Sequence, residues 1–285
     1  MEVVSATKMR RAQELALRAR PYAFTAFDLL ANASAKFSAK EVLPAMLTGN
    51  ESKKTLAIVI ASDKGLAGSL NANVMRKAHA MVNELKAKGD LDLATVGKKA
   101  RDYFSFRKFE IVKEFIGHGD YVDISEMNEL HEYLLKSYAD GVYGKVVFVY
   151  TNFLSTLRQE AVSRQVLPIT KENLDALNEG LTPERGRYSD SKPITYNPSP
   201  INYLFEPTRE RVLKELVDRL FKMTLYHIQL ESNASEHSAR MVAMKTASEN
   251  AEEIVDDLTL IYNKGRQAKI TQEIVEITSG SDAVA

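Results

Sequence analysis

The sequence predicts an α/β protein in which long N- and C-terminal helices pair antiparallel as a coiled coil beside a Rossmann-like α/β domain with a mostly parallel sheet. Three observations predict it. After Pro207 the chain has no further proline, and its only glycines there are Gly265 and Gly280. Apolar and small residues recur every seven positions near both ends. Between the ends, short β-branched runs alternate with stretches of helical spacing.

Residues 1–50 form the first predicted segment, a helix with a seam. Ala12, Ala19, Ala26 and Ala33 recur at seven, interleaved with Leu15, Tyr22, Leu29 and Phe37. Pro21 predicts a kink or restart, because proline removes a helical hydrogen bond and crowds the preceding turn. Leu43 to Lys54, with Pro44, Gly49 and Asn50, reads as a break.

Residues 51–168 are the predicted α/β domain. Thr55 to Ala61 (TLAIVIA) is a continuous apolar run, the pattern of a strand buried on both faces. Ser69 to Lys88 reads as a helix ending at Gly89, with Ser69 as its N-cap. Leu91 to Val96 reads as a strand, Lys98 to Phe106 as a helix, and Phe109 to Phe115 as a weaker strand. Ile124 to Ala139 is a predicted helix, Lys145 to Tyr150 (KVVFVY) a strand, and Arg158 to Leu167 a last strand of alternating character. Residues 169–207 are a predicted surface connection, with five of the eight prolines between Pro183 and Pro207.

Residues 208–285 are the second long helix. From Thr208 to Thr278 it spans on the order of 100 Å at about 1.5 Å per residue. Its heptad positions run from Leu213 through Leu220, His227, Ala234, Met241, Ser248 and Val255 to Tyr262, and from Leu216 through Met223, Leu230, His237, Met244, Ala251 and Leu258 to Gly265. Twelve of these sixteen are apolar. Ala, Ser and Met dominate from Ala234 to Ala251, so the helix can be approached closely but buries little area per residue there.

Composition narrows the function classes. The 285 residues carry 38 basic and 38 acidic side chains, so the global charge implies neither nucleic acid nor an anionic membrane surface. There is no cysteine, which removes disulfides, thiolate metal sites and cysteine nucleophiles. No apolar run approaches the roughly twenty residues of a membrane span. The chain therefore reads as cytosolic, or held beside a membrane by a partner.

Ser62 to Asn71 (SDKGLAGSLN) is the stretch most like an enzyme's, because a turn after a parallel strand at a helix start is where phosphates sit. With only Gly65 and Gly68 it matches neither the dinucleotide fingerprint nor the GxxxxGK[ST] loop. His227 and His237 lie ten residues apart on the seam, and His79, His118 and His131 have no carboxylate or second histidine at ligand spacing. No catalytic, cofactor or metal site follows. A nucleotide-binding α/β enzyme with helical oligomerisation arms and a coiled-coil adaptor remain as alternative readings.

Four segments together resemble the gamma subunit of F-type rotary ATP synthases: VVSATKMRRAQ (Val3 to Gln13) followed by ARPYA (Ala19 to Ala23), SDKGLAGSLN, NASEHSARMVAMKTASENA (Asn233 to Ala251) and YNKGRQAKITQEIVEITSG (Tyr262 to Gly280). The resemblance covers nearly the whole chain. It implies a central stalk that turns inside a ring of alpha and beta subunits, driven by proton flow, with its foot on the epsilon subunit and the c-subunit ring and with the chemistry in the beta subunits. It implies that Arg266 and Gln267, Arg240 and Lys245, and Lys8, Arg10 and Arg11 face beta subunits, and that Lys64, Gly65, Leu66, Ala67 and Gly68 form a foot loop approaching them. The solvated-helix reading of these charges stands beside it. The implied location is peripheral, on the cytoplasmic face of a bacterial cell membrane, with the matrix side of the mitochondrial inner membrane as the alternative. Members of the family carry about twenty residues before the N-terminal motif, some 30 Å of helix, whereas this sequence begins at Met1 inside it; either the start is misassigned or the upper shaft is a single helix, which would leave seam residues such as Val255 and Leu258 without an intrachain partner. Gly265 stands where alanine is common in the family.

Overall fold

The computed structural model describes residues 1–15, 45–117, 123–169, 206 and 208–284. The seam from Ala19 to Phe37, the kink at Pro21, His118 and the connection at 170–205 lie outside them. Residues 2–15 are helical (α1), with Ser5 and Ala12, seven apart, buried on one face. α2 (Ala45–Thr48), β1 (Thr55–Ile60), α3 (Leu70–Lys88), β2 (Leu91–Val96), α4 (Lys98–Phe106) and β3 (Ile111–Phe115) follow. A 3₁₀ turn (Ile124–Met127), α5 (Asn128–Ala139), β4 (Lys145–Phe153), β5 (Gln159–Leu167) and α6 (Arg209–Val284) complete the order.

The strands form one sheet in the order β3-β2-β1-β4-β5, with β1 to β4 parallel and β5 antiparallel beside β4. Strand alternation gives each face its own core. Leu56, Ile58, Ile60, Val146, Phe148 and Tyr150 point to the face covered by α5 and α6, where they meet Leu130, Leu134, Leu213, Leu220 and Phe221. Ala57, Val59 and Val149 point to the opposite face, against Val74, Ala78 and Val82 of α3 and Phe104 of α4. The doubly apolar run at 55–61 is therefore a central strand, which needs apolar side chains on both faces.

Several details differ from the sequence expectation, among them β4, which runs to Phe153 and so three residues past the expected Tyr150. The predicted break at 43–54 contains α2, whose Met46 enters the core. The predicted helix from Ile124 begins as a 3₁₀ turn, closed by a capping box between Asp123 and Glu126. The weak strand starts at Ile111, because Phe109 stacks edge-on against Phe104 and His79 instead of joining the sheet.

At the N-terminal edge of the sheet, Tyr143 Oη donates to Asp92 Oδ2 at 2.8 Å, and Lys54 Nζ lies 2.8 Å from the same oxygen. α6 changes its surroundings along its length. A stripe from Leu213 to Ile228 packs on the sheet; residues 228–235 are buried on every side; residues 245–262 are exposed, as are 264–279. With 76 residues it is about 110 Å long.

Candidate functional site

α6 leaves the α/β domain at the C-terminal edge of the parallel strands, between the loop after β1 and the β4–β5 hairpin. The loop is internally braced. Asn71 Nδ2 donates to Ser62 Oγ at 2.7 Å, Ser62 Oγ donates to the Lys64 carbonyl at 2.5 Å, and Asp63 Oδ1 accepts from the Lys98 amide at 2.8 Å. Leu66 has a φ of +61°, a left-handed conformation unusual for leucine, and its side chain is exposed. Ser69 precedes α3 but its side chain makes no cap bond, contrary to the N-cap expectation.

Arg240 on α6 closes the loop onto the long helix. Its Nε and Nη2 donate to the Gly65 carbonyl at 3.3 and 3.2 Å, and Nη2 also donates to Glu236 Oε1 at 2.5 Å. Its Nη1 lies 3.4 Å from His237 Nδ1. The guanidinium is buried, and Glu236 satisfies its charge there. On the hairpin side, Ser235 Oγ donates to the Thr151 carbonyl at 3.3 Å and Ser238 Oγ to the Thr156 carbonyl at 2.7 Å. Gln159 Nε2 donates to the Ser155 and Thr156 carbonyls and reaches Ser238 Oγ. Two loops thus hold one helix through side chains that bond to backbone carbonyls.

The structure brings together two of the predicted contact residues, Arg240 and Gly65, from opposite parts of the chain. Arg266 and Gln267 lie exposed on α6, about 40 Å farther along it. Lys245 is exposed, 3.9 Å from Glu249. Arg10 and Arg11 are exposed on α1 and Lys8 is partly covered. Sequence reasoning missed Glu236, Ser235, Ser238 and Gln159. The only signal was a run of small polar residues at and beside the seam.

Two histidines lie close to carboxylates, though neither Nε2 makes a hydrogen bond among the described residues. His131 Nε2 lies 3.1 Å from Asp218 on α6, and His227 Nε2 lies 3.0 Å from Glu231 one turn on. Glu231 also adjoins Tyr150, whose hydroxyl accepts from Arg164 at 2.7 Å. Burial, and then the Glu231 charge, hold the Tyr150 phenol well above its ordinary value. Among the described residues no group of three or more His, Asp or Glu could hold a metal ion.

The sequence profile of the family described as ATP synthase matches residues 1–284. The ATP synthase gamma chain of Heliobacterium modesticaldum is 37% identical over 284 residues, covering 100% of this chain and 92% of that one. This chain belongs to the ATP synthase gamma chain family. The gamma chain of Salinibacter ruber is 35% identical over 288 residues, covering 100% of this chain and 91% of its relative. A chain from the central stalk and c-ring of the Tetrahymena thermophila mitochondrial ATP synthase superposes with a TM-score of 0.60 at 23% identity, over 87% of this chain and 97% of that chain. One from the Euglena gracilis mitochondrial ATP synthase gives 0.55 at 15% identity, over 99% and 94%. The gamma-chain fold is therefore a mostly parallel sheet carrying a long C-terminal helix. No helix among the described residues of this gamma-family chain is long and apolar enough to cross a membrane.

Proposed function

We propose that this chain is the central rotor stalk of an F-type ATP synthase, coupling proton flow through a c-subunit ring to ATP synthesis at beta-subunit sites. The observation that carries it is the projecting part of α6. Residues 245–279 extend roughly 50 Å beyond the clamp, and Ile254, Val255, Leu258, Leu260, Ile261 and Tyr262 are exposed there. At 100° per residue these side chains point to several sides of the helix. An apolar stripe suits one partner; apolar residues all round suit enclosure. A bore formed by alpha and beta subunits supplies that enclosure.

The chain is a non-catalytic subunit in this reading. The loop at 62–71 is braced and clamped, and the camshaft role requires only that the rod contact each beta subunit differently, since a partner shifts an equilibrium by its preference for one state. Arg266, Gln267 and Lys245 on the rod, with Lys8, Arg10 and Arg11 on α1, are the beta-facing groups. Arg240 acts one step back, fixing the foot loop from Lys64 to Gly68 to the rod. The epsilon subunit and c ring bind the α/β end, and the assembly sits peripherally on the cytoplasmic face of a bacterial membrane.

Reconstitution with alpha and beta subunits tests the reading. Arg266→Glu is expected to reduce ATP synthesis by the assembled enzyme about tenfold or more while the circular dichroism of the isolated chain is unchanged. ATP hydrolysis by the purified chain alone, abolished by substitution of Lys64, would overturn it in favour of the nucleotide-binding enzyme.

A further inference from the structure

Two leucines stand in water beside the exit of α6. Leu157, at the tip of the β4–β5 hairpin, is 84% exposed, and Leu66, in the loop after β1, is 66% exposed. Neither is loosely held. The Leu154 and Ser155 amides both donate to the Arg158 carbonyl, at 3.3 and 2.9 Å, and the Arg158 amide donates to the Ser155 carbonyl at 3.2 Å. Leu66 keeps its left-handed backbone within a loop braced by Ser62, Asp63 and Asn71, and strain of that kind gathers where a side chain is displayed for use. Folding the two leucines back onto the chain would bury apolar area. Turns that hold them out instead serve a surface outside this chain.

Between the two loops lies a groove of about 340 Å³. The hairpin lines it with Leu157, the loop with Ala67 and Gly68, and α6 with Ala239, Val242 and Ala243. These three α6 residues are half-covered by the chain's own fold, and from residue 245 to 262 the same helix is exposed. The groove is therefore the lower end of the surface that the rod presents, continuous with it along one helix. Among the described residues its lining holds no aspartate or glutamate; Arg158 is its one charged lining residue, and Lys64 is exposed on the loop. An apolar side chain flanked by carboxylates complements that combination.

We infer that Leu157 and this groove seat an apolar side chain, flanked by carboxylates, from the end of a beta subunit that faces the foot. The β4–β5 hairpin is then a second ring contact beside the loop after β1. This rests on the rotor reading, which assigns Lys64 to Gly68 to beta subunits and sets alpha and beta subunits round the rod. Ser235 and Ser238 tie the hairpin to α6, the second through the Thr156 carbonyl next to Leu157, so a push on Leu157 passes straight to the long helix.

Hydroxyl-radical footprinting of the unaltered chain, free and assembled with alpha and beta subunits, reads the contact. Oxidation of Leu157 should fall about tenfold on assembly, as for an anchor shut off from water. Phe106, 85% exposed at the end of α4 on the opposite edge of the sheet, should be oxidised as before. The chain has no cysteine, so Leu157→Cys carries a single thiol for a benzophenone photocrosslinker, and its adduct should form with beta. Unchanged oxidation of Leu157 beside protection of Ile254 and Leu258 overturns this contact and leaves the rotor reading standing. No protection of any of the three overturns both. An adduct with alpha alone, or equal protection of Leu157 and Phe106, also overturns the contact. If Leu157→Cys does not assemble, the footprint decides, since it uses no substitution.

Discussion

Gly97 joins β2 to α4 with a φ of +91°, and a Cβ on it would lie 2.0 Å from the Ala61 carbonyl oxygen. The left-handed backbone and the collision with another backbone both oppose a side chain, and neither can be relieved by a rotamer change. Gly97→Ala is expected to destabilise the chain by about 3 kcal/mol or more, read as a lower urea midpoint. Arg240 poses a different problem. Arg240→Met keeps most of the buried stem but leaves Glu236 and the Gly65 carbonyl without its guanidinium, so a loss of about 2–3 kcal/mol is expected. Faster amide exchange across residues 62–69 should accompany it. Neither role was legible in the sequence. An arginine one turn from a glutamate reads as an ordinary solvated helix pair, and only the tertiary fold sets a carbonyl 175 positions away against it. The same holds for His131, whose near neighbour Asp218 belongs to another helix.

At the scale of elements, the strands were the most legible. β1 and the stretch of β4 from Val146 to Tyr150 are continuous apolar runs because both faces of the sheet are covered, and β2 matches its predicted limits. α2 and the 3₁₀ turn were not legible: each is one turn long, and a single turn has no period to detect. α6 was legible as a helix because no proline interrupts it. Its surroundings were not, since a heptad pattern names the apolar positions without naming what covers them. His227, Ala234 and His237 are covered by this chain's own fold, whereas Val255 and Leu258 are exposed. Gly265 sits in the exposed segment, where a Cβ added to it would meet nothing within 4 Å. Gly265→Ala should therefore add about 1 kcal/mol of helix stability with no steric cost, measured as slower amide exchange around residues 261–269.

At the scale of the whole molecule, alkaline pH acts on several elements together. Burial pushes the phenols of Tyr138, Tyr143 and Tyr150 above the ordinary value of 10.0. The hydrogen bond to Asp92 raises the Lys54 ammonium above 10.5. Each group holds its proton more tightly folded than unfolded. The stabilisation is therefore complete below about pH 10 and is lost as pH rises through the raised folded values. The thermal midpoint should fall above pH 10, and less steeply in Tyr143→Phe, as pH-dependent calorimetry would show. The long helix adds a mechanical property of its own. Gripped by both loops as far as Arg240 and uncovered past Lys245, it is a cantilever whose pivot is the clamp of Arg240 on Gly65 and of Ser235 and Ser238 on the hairpin carbonyls. A tilt of about 5° at that pivot carries Arg266 sideways by roughly 3–4 Å over some 40 Å of helix. That displacement exceeds the range within which a hydrogen bond survives. A small change of angle in that clamp is thus magnified at the far end of the rod into a contact made or broken.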